Sequence, residues 1–239
     1  MLNSNSHMSS PREKSDLSLM RAMFSRIAPR YDFVTRMFSY GMDRRWKRLG
    51  VANAALPPGA RVLDLACGTG DFSQIVLRRL PHARSIALDL TEPMLHEARA
   101  RGLRDAVCAD ATSLPFPPAT FDAVFVGYGL RNFPSLDAAL REISRVTRPG
   151  GLMVSLDFFL PANPVFRPLY LGYLYTQGAL WGLLLHASAR TYTYIPDSIR
   201  SFLSMKEFTA LLEQRGYSPV RARSYICGGI AIHWATKRA

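Results

Sequence analysis

Lysine is nearly absent from this chain of 239 residues: it supplies 4 of the 30 basic side chains, and arginine supplies the other 26. Cysteine is scarce as well. Cys67, Cys108 and Cys227 form an odd set without a C-x-x-C pair, which excludes a disulfide framework and a thiolate zinc site and fits a reducing cytosol. All three read as small core residues, and no metal is expected. No G-x-x-x-x-G-K-[ST] run exists, so no lysine is offered to a nucleoside triphosphate. The opening residues MLNSNSHM read as vector sequence, so residues 1–7 are set aside as a tag and Met8 is taken as the native start; no signal peptide follows.

What is present is enough for a full core: hydrophobic residues make up 48%, and the length suits one α/β domain with an insertion. The stretch VLDLACGTGD (residues 62–71) is an aliphatic run that stops at a G-x-G turn and flows into the helical pattern FSQIVLRRL. The unit then repeats. Ser85–Leu90 reads as a second strand, with Thr91 as N-cap of its helix; Ala106–Ala109 as a third, ending at Asp110; Phe121–Gly127 as a fourth; and Leu136–Val146 as a helix that stops before R-P-G-G. Gly151–Phe158 is a fifth strand, Met205–Gln214 a helix, and Ser218–Ile226 and Gly229–Thr236 a closing pair of strands. Alternating strands and helices predict a Rossmann-like α/β fold, a mostly parallel seven-stranded sheet with helices on both faces, and ligands at the carboxyl ends of its strands.

The Gly turn accommodates a dinucleotide pyrophosphate, a triphosphate or S-adenosylmethionine. The dinucleotide fingerprint needs a third glycine where Ser73 stands. Asp64, one turn before Gly68, Thr69 and Gly70, suits a cationic amino-acid head instead. Asp89 and Leu90 end the second strand, where the carboxylate can accept both ribose hydroxyls, and Asp110 with the Ala111 amide can read an adenine edge at the third. Each carboxylate alone could be a helix cap, but three in series point to S-adenosylmethionine.

These residues resemble the class I methyltransferases, and more narrowly the ubiquinone/menaquinone biosynthesis C-methyltransferase family, from about Met23 onward. The motifs are MFSRIAPRYDFVTRMFSYGMDRRWKR, VLDLACGTGD, LDLTEPML, ADATSLPFPPATFD, GYGLRNF, RVTRPGG and YTYIPDSIRSF. Two features depart from the family: the segment after Pro161 is more apolar, and Gly127 stands where many members carry a small polar residue. The resemblance implies methyl transfer to a ring carbon of a prenylated quinol, whose hydroxyl proton must leave so that electron density reaches the neighbouring carbon. It places Arg131, in GLRN, beside the substrate, to stabilise the quinolate oxygen; a guanidinium is too basic to accept a proton. Structurally, Arg131 could instead pair with Asp137. Asn132 is expected to hold that loop against the substrate. Asp157, Tyr128 and His233 are the candidates for receiving the proton, with Asp157 ahead on position and His233 on intrinsic pKa. Tyr31, beside Asp32, and Gly127 are expected at the cofactor; Tyr192, Tyr194 and Trp181 are expected at the substrate, Trp181 on an apolar lid that receives the isoprenoid tail.

Residues 8–50 are expected to form a helical cap, residues 51–239 the methyltransferase domain, and about 160–200 the lid. Ten Lys/Arg against four Asp/Glu in the first fifty residues concentrate +6 of the chain's +12 there, and 22 residues between Arg167 and Arg190 carry no Asp, Glu, Lys or Arg. Pro168 and three glycines dilute that apolar segment, so a lid fits better than a membrane span. A basic end and an apolar lid suggest a cytoplasmic protein docked peripherally on the anionic inner leaflet, and a homodimer is compatible with the sequence. Nucleic acid is not expected as a partner: no D/N-P-P-Y/F loop follows the fourth strand, and no cysteine lies in a Pro-Cys loop. Methylation of another small apolar molecule, or non-catalytic cofactor or lipid binding, are the remaining alternatives.

Overall fold

The computed structural model of the chain describes residues 11–186 and 192–239; the tag, Met8 and part of the expected lid lie outside these. Three helices lead in: α1 (Pro11–Ile27), α2 (Tyr31–Phe38) and α3 (Asp43–Ala52). Strand β1 (Arg61–Leu65) then alternates with α4 (Asp71–Arg79), β2 (Arg84–Asp89), α5 (Glu92–Ala100) and β3 (Ala106–Cys108). After β4 (Phe121–Gly127), α6 (Leu136–Val146) and β5 (Thr147–Phe158) come α7 (Phe166–His186), α8 (Tyr194–Arg200), α9 (Met205–Gln214), β6 (Tyr217–Tyr225) and β7 (Ile230–Lys237).

The sheet runs β3-β2-β1-β4-β5-β7-β6. Its first five strands are parallel, and β7 pairs antiparallel with both β5 and β6. Strand order reverses between β1 and β4, so the crossovers diverge there and open a crevice at the carboxyl ends. Alternation assigns the two faces. Val62, Phe125, Val154, Ile232 and Trp234 join the cluster of α3 and α4 (Trp46, Val51, Phe72, Val76), while Leu63, Leu65, Val124, Val126 and Met153 join that of α6 and α9 (Leu140, Ile143, Phe208, Leu212). Helix α3 is tied down by the Trp234 indole, which donates to Gly50 O at 2.9 Å.

Several elements differ from expectation for identifiable reasons. β5 begins at Thr147, before R-P-G-G, because the Gly150-Gly151 pair forms an irregularity opposite Phe121–Ala123 instead of ending the strand. A side-chain carbon on Gly151 would come within 3.0 Å of Asp122 O. Thr91 sits at the N-cap of α5 but its side chain makes no cap bond; its amide donates to Asp89. Of the three cysteines only Cys67 is in the core. Cys108 is exposed on the edge strand β3, and Cys227 is exposed in the Ile226–Gly228 turn.

Helix α7 lies against α2 through aromatic contacts: Phe33 meets Trp181 edge-on at 5.2 Å and Tyr40 stacks on Tyr173 at 5.7 Å. No helix among the described residues is long and apolar enough to cross a membrane. The α7 face turned to solvent is nonetheless apolar, with Leu180, Leu183 and Leu184 exposed.

Two stability predictions follow from the buried environment. Gly70 has φ +83, and a Cβ there would stand 2.1 Å from Leu103 Cδ1. Gly70→Ala is expected to cost about 1–3 kcal/mol by urea unfolding, and Leu103→Ala in the same chain should recover the steric part only. His233 is fully buried between Phe159 and Phe208, and burial lowers its pKa from 6.5 to about 4. The unfolded chain therefore binds this proton first as pH falls, and the residue withdraws about 3 kcal/mol of stability between pH 6.5 and 4. His233→Gln should flatten the acid limb of a stability-against-pH curve over that window; an unchanged limb would show the histidine already charged in the fold.

Candidate active site

At the carboxyl ends of β1, β2, β3 and β4 lies a cleft with about 640 Å³ of unfilled space, open at one side. Its walls include Tyr31, Gly68, Asp89, Leu90, Asp110, Ala111, Gly127 and Tyr128, as well as Met20 and Phe24 from α1. The Gly turn is built for close approach. Gly68 has φ +54, and a Cβ there would meet the Tyr31 ring at 3.1 Å, so the tyrosine lies directly on the backbone. Asp89 is buried: Oδ2 accepts the Gly68 amide and Oδ1 the Thr91 amide, both at 2.9 Å. Burial pushes its pKa up, against the pull of these donors. Each oxygen keeps a second lone pair for a ligand hydroxyl. Asp110 forms a turn with the Thr112 amide (2.9 Å).

A second, smaller chamber lies behind the turn and shares Tyr31, Ala66 and Gly127 with the cleft. Lys47, Asp64, Cys67, Thr69, Asp71 and Phe72 complete it. The buried Lys47 ammonium donates to Asp71 at 2.6 Å and stands 5.6 Å from the Tyr128 ring centre. Burial works against the Asp71 charge, but Lys47 and Arg101 outweigh it and hold its pKa below the ordinary value. Asp64 stands apart from the main cleft. One of its oxygens accepts both the Ser73 amide (2.8 Å) and hydroxyl (2.9 Å), fastening the start of α4, and burial lifts its pKa to about 7. Thr69 donates to Asp32 at 2.6 Å, which ties α2 to the turn, and Gly70 faces Leu103 instead of a cavity.

The third space, an inner cavity of about 400 Å³, lies under α2 and α8 and shares Phe24, Tyr31, Tyr128 and Asn132 with the cleft. Its remaining walls are Ile27, Val34, Thr35, Phe38, Arg131, Phe158, Tyr194 and Ile195. Arg131 is the single charged side chain among them. Its Nε donates to Asp157 at 2.6 Å, Nη1 donates to Ser198, and the guanidinium lies 5.2 Å from the Phe158 ring centre. Burial opposes its charge, yet the Asp157 carboxylate more than offsets this and holds its pKa above the ordinary value. Asp157 also accepts the Leu130 amide (2.9 Å) and the Phe158 amide (2.8 Å). Burial lifts the Asp157 pKa above its ordinary value against the pull of these three donors, and the carboxylate anchors Arg131 from behind the wall of the inner cavity.

The arrangement thus gathers Tyr31, Asp89, Asp110, Gly127, Tyr128, Arg131, Asn132 and Tyr194, and separates others from them. His233 is on the far side of β5, where its Nε2 lies 3.2 Å from the Thr209 hydroxyl. That hydroxyl gives its proton to Met205 O, so Nε2 must be the donor. Tyr192 is entirely in the core, and Trp181 turns to Phe33 and hydrogen-bonds Gln177; neither walls the cleft, chamber or inner cavity. The pairing of Arg131 with Asp137 is corrected, because Asp137 pairs with Arg141 and Arg215. Gly127 is explained by Phe72: a Cβ at 127 would come 2.9 Å from that ring. Sequence reasoning missed Lys47, which hides in the basic run DRRWKR and reads as a solvated charge, and Ser198, Phe24 and Met20, whose roles depend on how the helices fold back.

A model of the ubiE/COQ5 methyltransferase family matches residues 11–237. The chain is 38% identical over 92% of its length to the ubiquinone/menaquinone biosynthesis C-methyltransferase UbiE of Syntrophotalea carbinolica, covering 94% of that protein. It is 39% identical over 88% of its length to the demethylmenaquinone methyltransferase of Thermus thermophilus, covering 98% of it. A solved SAM-dependent methyltransferase from Thermotoga maritima shares the fold at a TM-score of 0.63 and 19% identity, covering 92% of this chain and 100% of that one. A sheet reversed at β1 and β4, a Gly turn under Tyr31 and a match over nearly the whole chain lead to one conclusion: the chain belongs to the ubiE/COQ5 methyltransferase family and is an S-adenosylmethionine-dependent methyltransferase.

Proposed function

We propose that this enzyme methylates a ring carbon of a prenylated quinol, demethylmenaquinol or its benzoquinol counterpart. One observation carries the reading: beside the cleft lies a cavity walled by aromatic and aliphatic side chains with a single charged group, Arg131. Such a wall suits a flat apolar ring that develops an oxygen anion. When bound, S-adenosylmethionine supplies a methyl group on a sulfonium, an electrophile that needs no further activation. The residues fit this cofactor. Asp89 keeps lone pairs for ribose hydroxyls, Asp110 and Ala111 stand at the end of the third strand for the base, and Lys47 with Asp71 and Asp64 offers both signs of charge to an amino-acid zwitterion.

The chain's own contribution is alignment and charge. Tyr31, Tyr128, Phe24 and Asn132, common to cleft and inner cavity, set the distance between the two ligands, and holding reactants in near-attack geometry provides much of the acceleration. Asn132 donates to Tyr128 O at 3.2 Å and so stiffens this partition. Arg131 favours the ring hydroxyl as its anion and thereby raises the electron density at the neighbouring carbon. No carboxylate or imidazole lines the inner cavity, and burial pushes the Tyr128 phenol far above its ordinary pKa. The hydroxyl proton therefore leaves by way of water, with Asp157 acting as a positioning residue for Arg131. In this reading residues 8–50 act as a cap, residues 51–239 as the catalytic domain and about 160–200 as a lid, and the exposed leucines of α7 rest on an anionic leaflet.

The test is methyl transfer from labelled S-adenosylmethionine to short-tailed demethylmenaquinol and the corresponding benzoquinol, each reduced and oxidised. Turnover is expected on the reduced ring only. Arg131→Gln should lower kcat/KM by about 100-fold or more while cofactor titration shows binding retained, because Arg131 is not a wall of the cleft. Bound cofactor without methylation of either quinol would overturn the substrate assignment.

A further inference from the structure

A fourth space lies outside the three already described. It is a long open groove of about 1060 Å³ between the α2–α3 turn, the first half of α7 and the Ile226–Gly228 turn. Tyr40, Met42, Trp46, Leu169, Tyr170 and Tyr173 are among its nine lining residues, none of which carries a formal charge. Leu169 is 68% exposed at its lip, and Tyr40 and Tyr173 are 42% exposed. An aromatic floor this wide, left open to water, is costly unless something apolar covers it.

The groove backs onto the inner cavity. Phe38, a wall of the cavity, and Tyr40, a wall of the groove, belong to one turn of chain. Phe158 lines the cavity, and the next residue, Phe159, donates its amide to Gly229 O, which also accepts the Tyr170 hydroxyl at 3.0 Å. The tip of the Tyr170 ring lies so close to Gly229 that a Cβ there would come within 2.8 Å of its Cζ. Tyr170, a wall of the groove, also stands close enough to Arg131, a wall of the cavity, for the phenol and the guanidinium to interact electrostatically. The inner cavity is smaller than the groove and has no room for a tail of many isoprene units beside the ring.

We propose that this groove holds the polyisoprenoid tail of the substrate, which passes the Tyr170 ring on its way from the inner cavity to the surface. The inference rests on the quinol reading and assigns the tail to the Leu169–Tyr173 side of α7, away from Trp181. Hydrocarbon is the occupant that the walls favour, since a peptide would need partners for its backbone polar groups and the described walls offer few.

The experiment compares two reduced substrates, one without a tail and one with three isoprene units, each dispersed without vesicles and again embedded in vesicles, in wild type, Leu169→Glu, Tyr173→Glu and Leu169→Met. Each Glu variant should lower kcat/KM for the tailed quinol about tenfold more than for the tail-less one, and Leu169→Met should keep the wild-type preference for the tail. A parallel titration with farnesol, a prenyl chain without a ring, should perturb the emission of Trp46, lose that effect in Trp46→Phe, and weaken in Leu169→Glu. Equal losses on both substrates, or farnesol binding indifferent to Leu169→Glu, would overturn the groove. Loss confined to substrate embedded in vesicles would also overturn it, in favour of a membrane contact. If wild type methylates neither quinol, the ring reading fails, and the farnesol titration still decides whether the groove binds prenyl chains.

Discussion

The ends of β1 and β4 can meet because of two small residues. Ala66, just past β1, and Gly129, just past β4, touch so closely that a Cβ on Gly129 would lie 2.7 Å from that of Ala66. Ala66 and Tyr128 both adopt left-handed backbone conformations, with φ of 52 and 60, and each costs roughly 1–2 kcal/mol for a residue with a side chain. Hydrogen bonds hold these conformations in place: Tyr128 N to Leu156 O at 2.7 Å, Cys67 N to Leu88 O at 3.0 Å, and Gly68 N to Asp89. The crevice, and with it the cleft, chamber and inner cavity, exists because both chains turn away from this contact at once.

Around that crevice two buried ion pairs supply the cationic donors. Arg131 against Asp157 and Lys47 against Asp71 each leave N–H groups directed into a cavity. Replacing either pair by apolar residues could leave the fold as stable, but no donor would remain to meet an anion. Asp64 shows the contrasting use of a buried carboxyl: its partners are Ser73 amide and hydroxyl, and its work is to fasten α4.

The sheet was legible because near-continuous apolar runs ending in Gly or Asp signal a buried parallel strand, and the helices between them carry clear stripes. Phe121–Gly127 and Leu136–Val146 fall where the pattern places them. The R-P-G-G strand start was not legible, since a glycine pair marks a bulge as readily as an end. At the site, residues contributed by strand ends were readable from position alone, as Asp89 and Asp110 show. Residues contributed by helices that fold back, among them Lys47, Phe24 and Ser198, were not, because which face of a short helix turns inward depends on what it meets. His233 and Tyr192 misled for the same reason in reverse: their chemistry suits the site, but His233 packs between Phe159 and Phe208 and Tyr192 is fully buried in the core.

Helices α2 and α7 are joined by Phe33 on Trp181, Tyr40 on Tyr173 and a hydrogen bond from Arg30 to Leu185 O. The two therefore form one roof, and lifting α2 from the Gly turn means parting these contacts or carrying α7 along. A ligand that steadies Tyr31 from below the turn stabilises the same roof that a ligand in the inner cavity stabilises from beside it. Thermodynamic reciprocity fixes one factor for both: whatever tightening one ligand gives the other through this roof is returned in full.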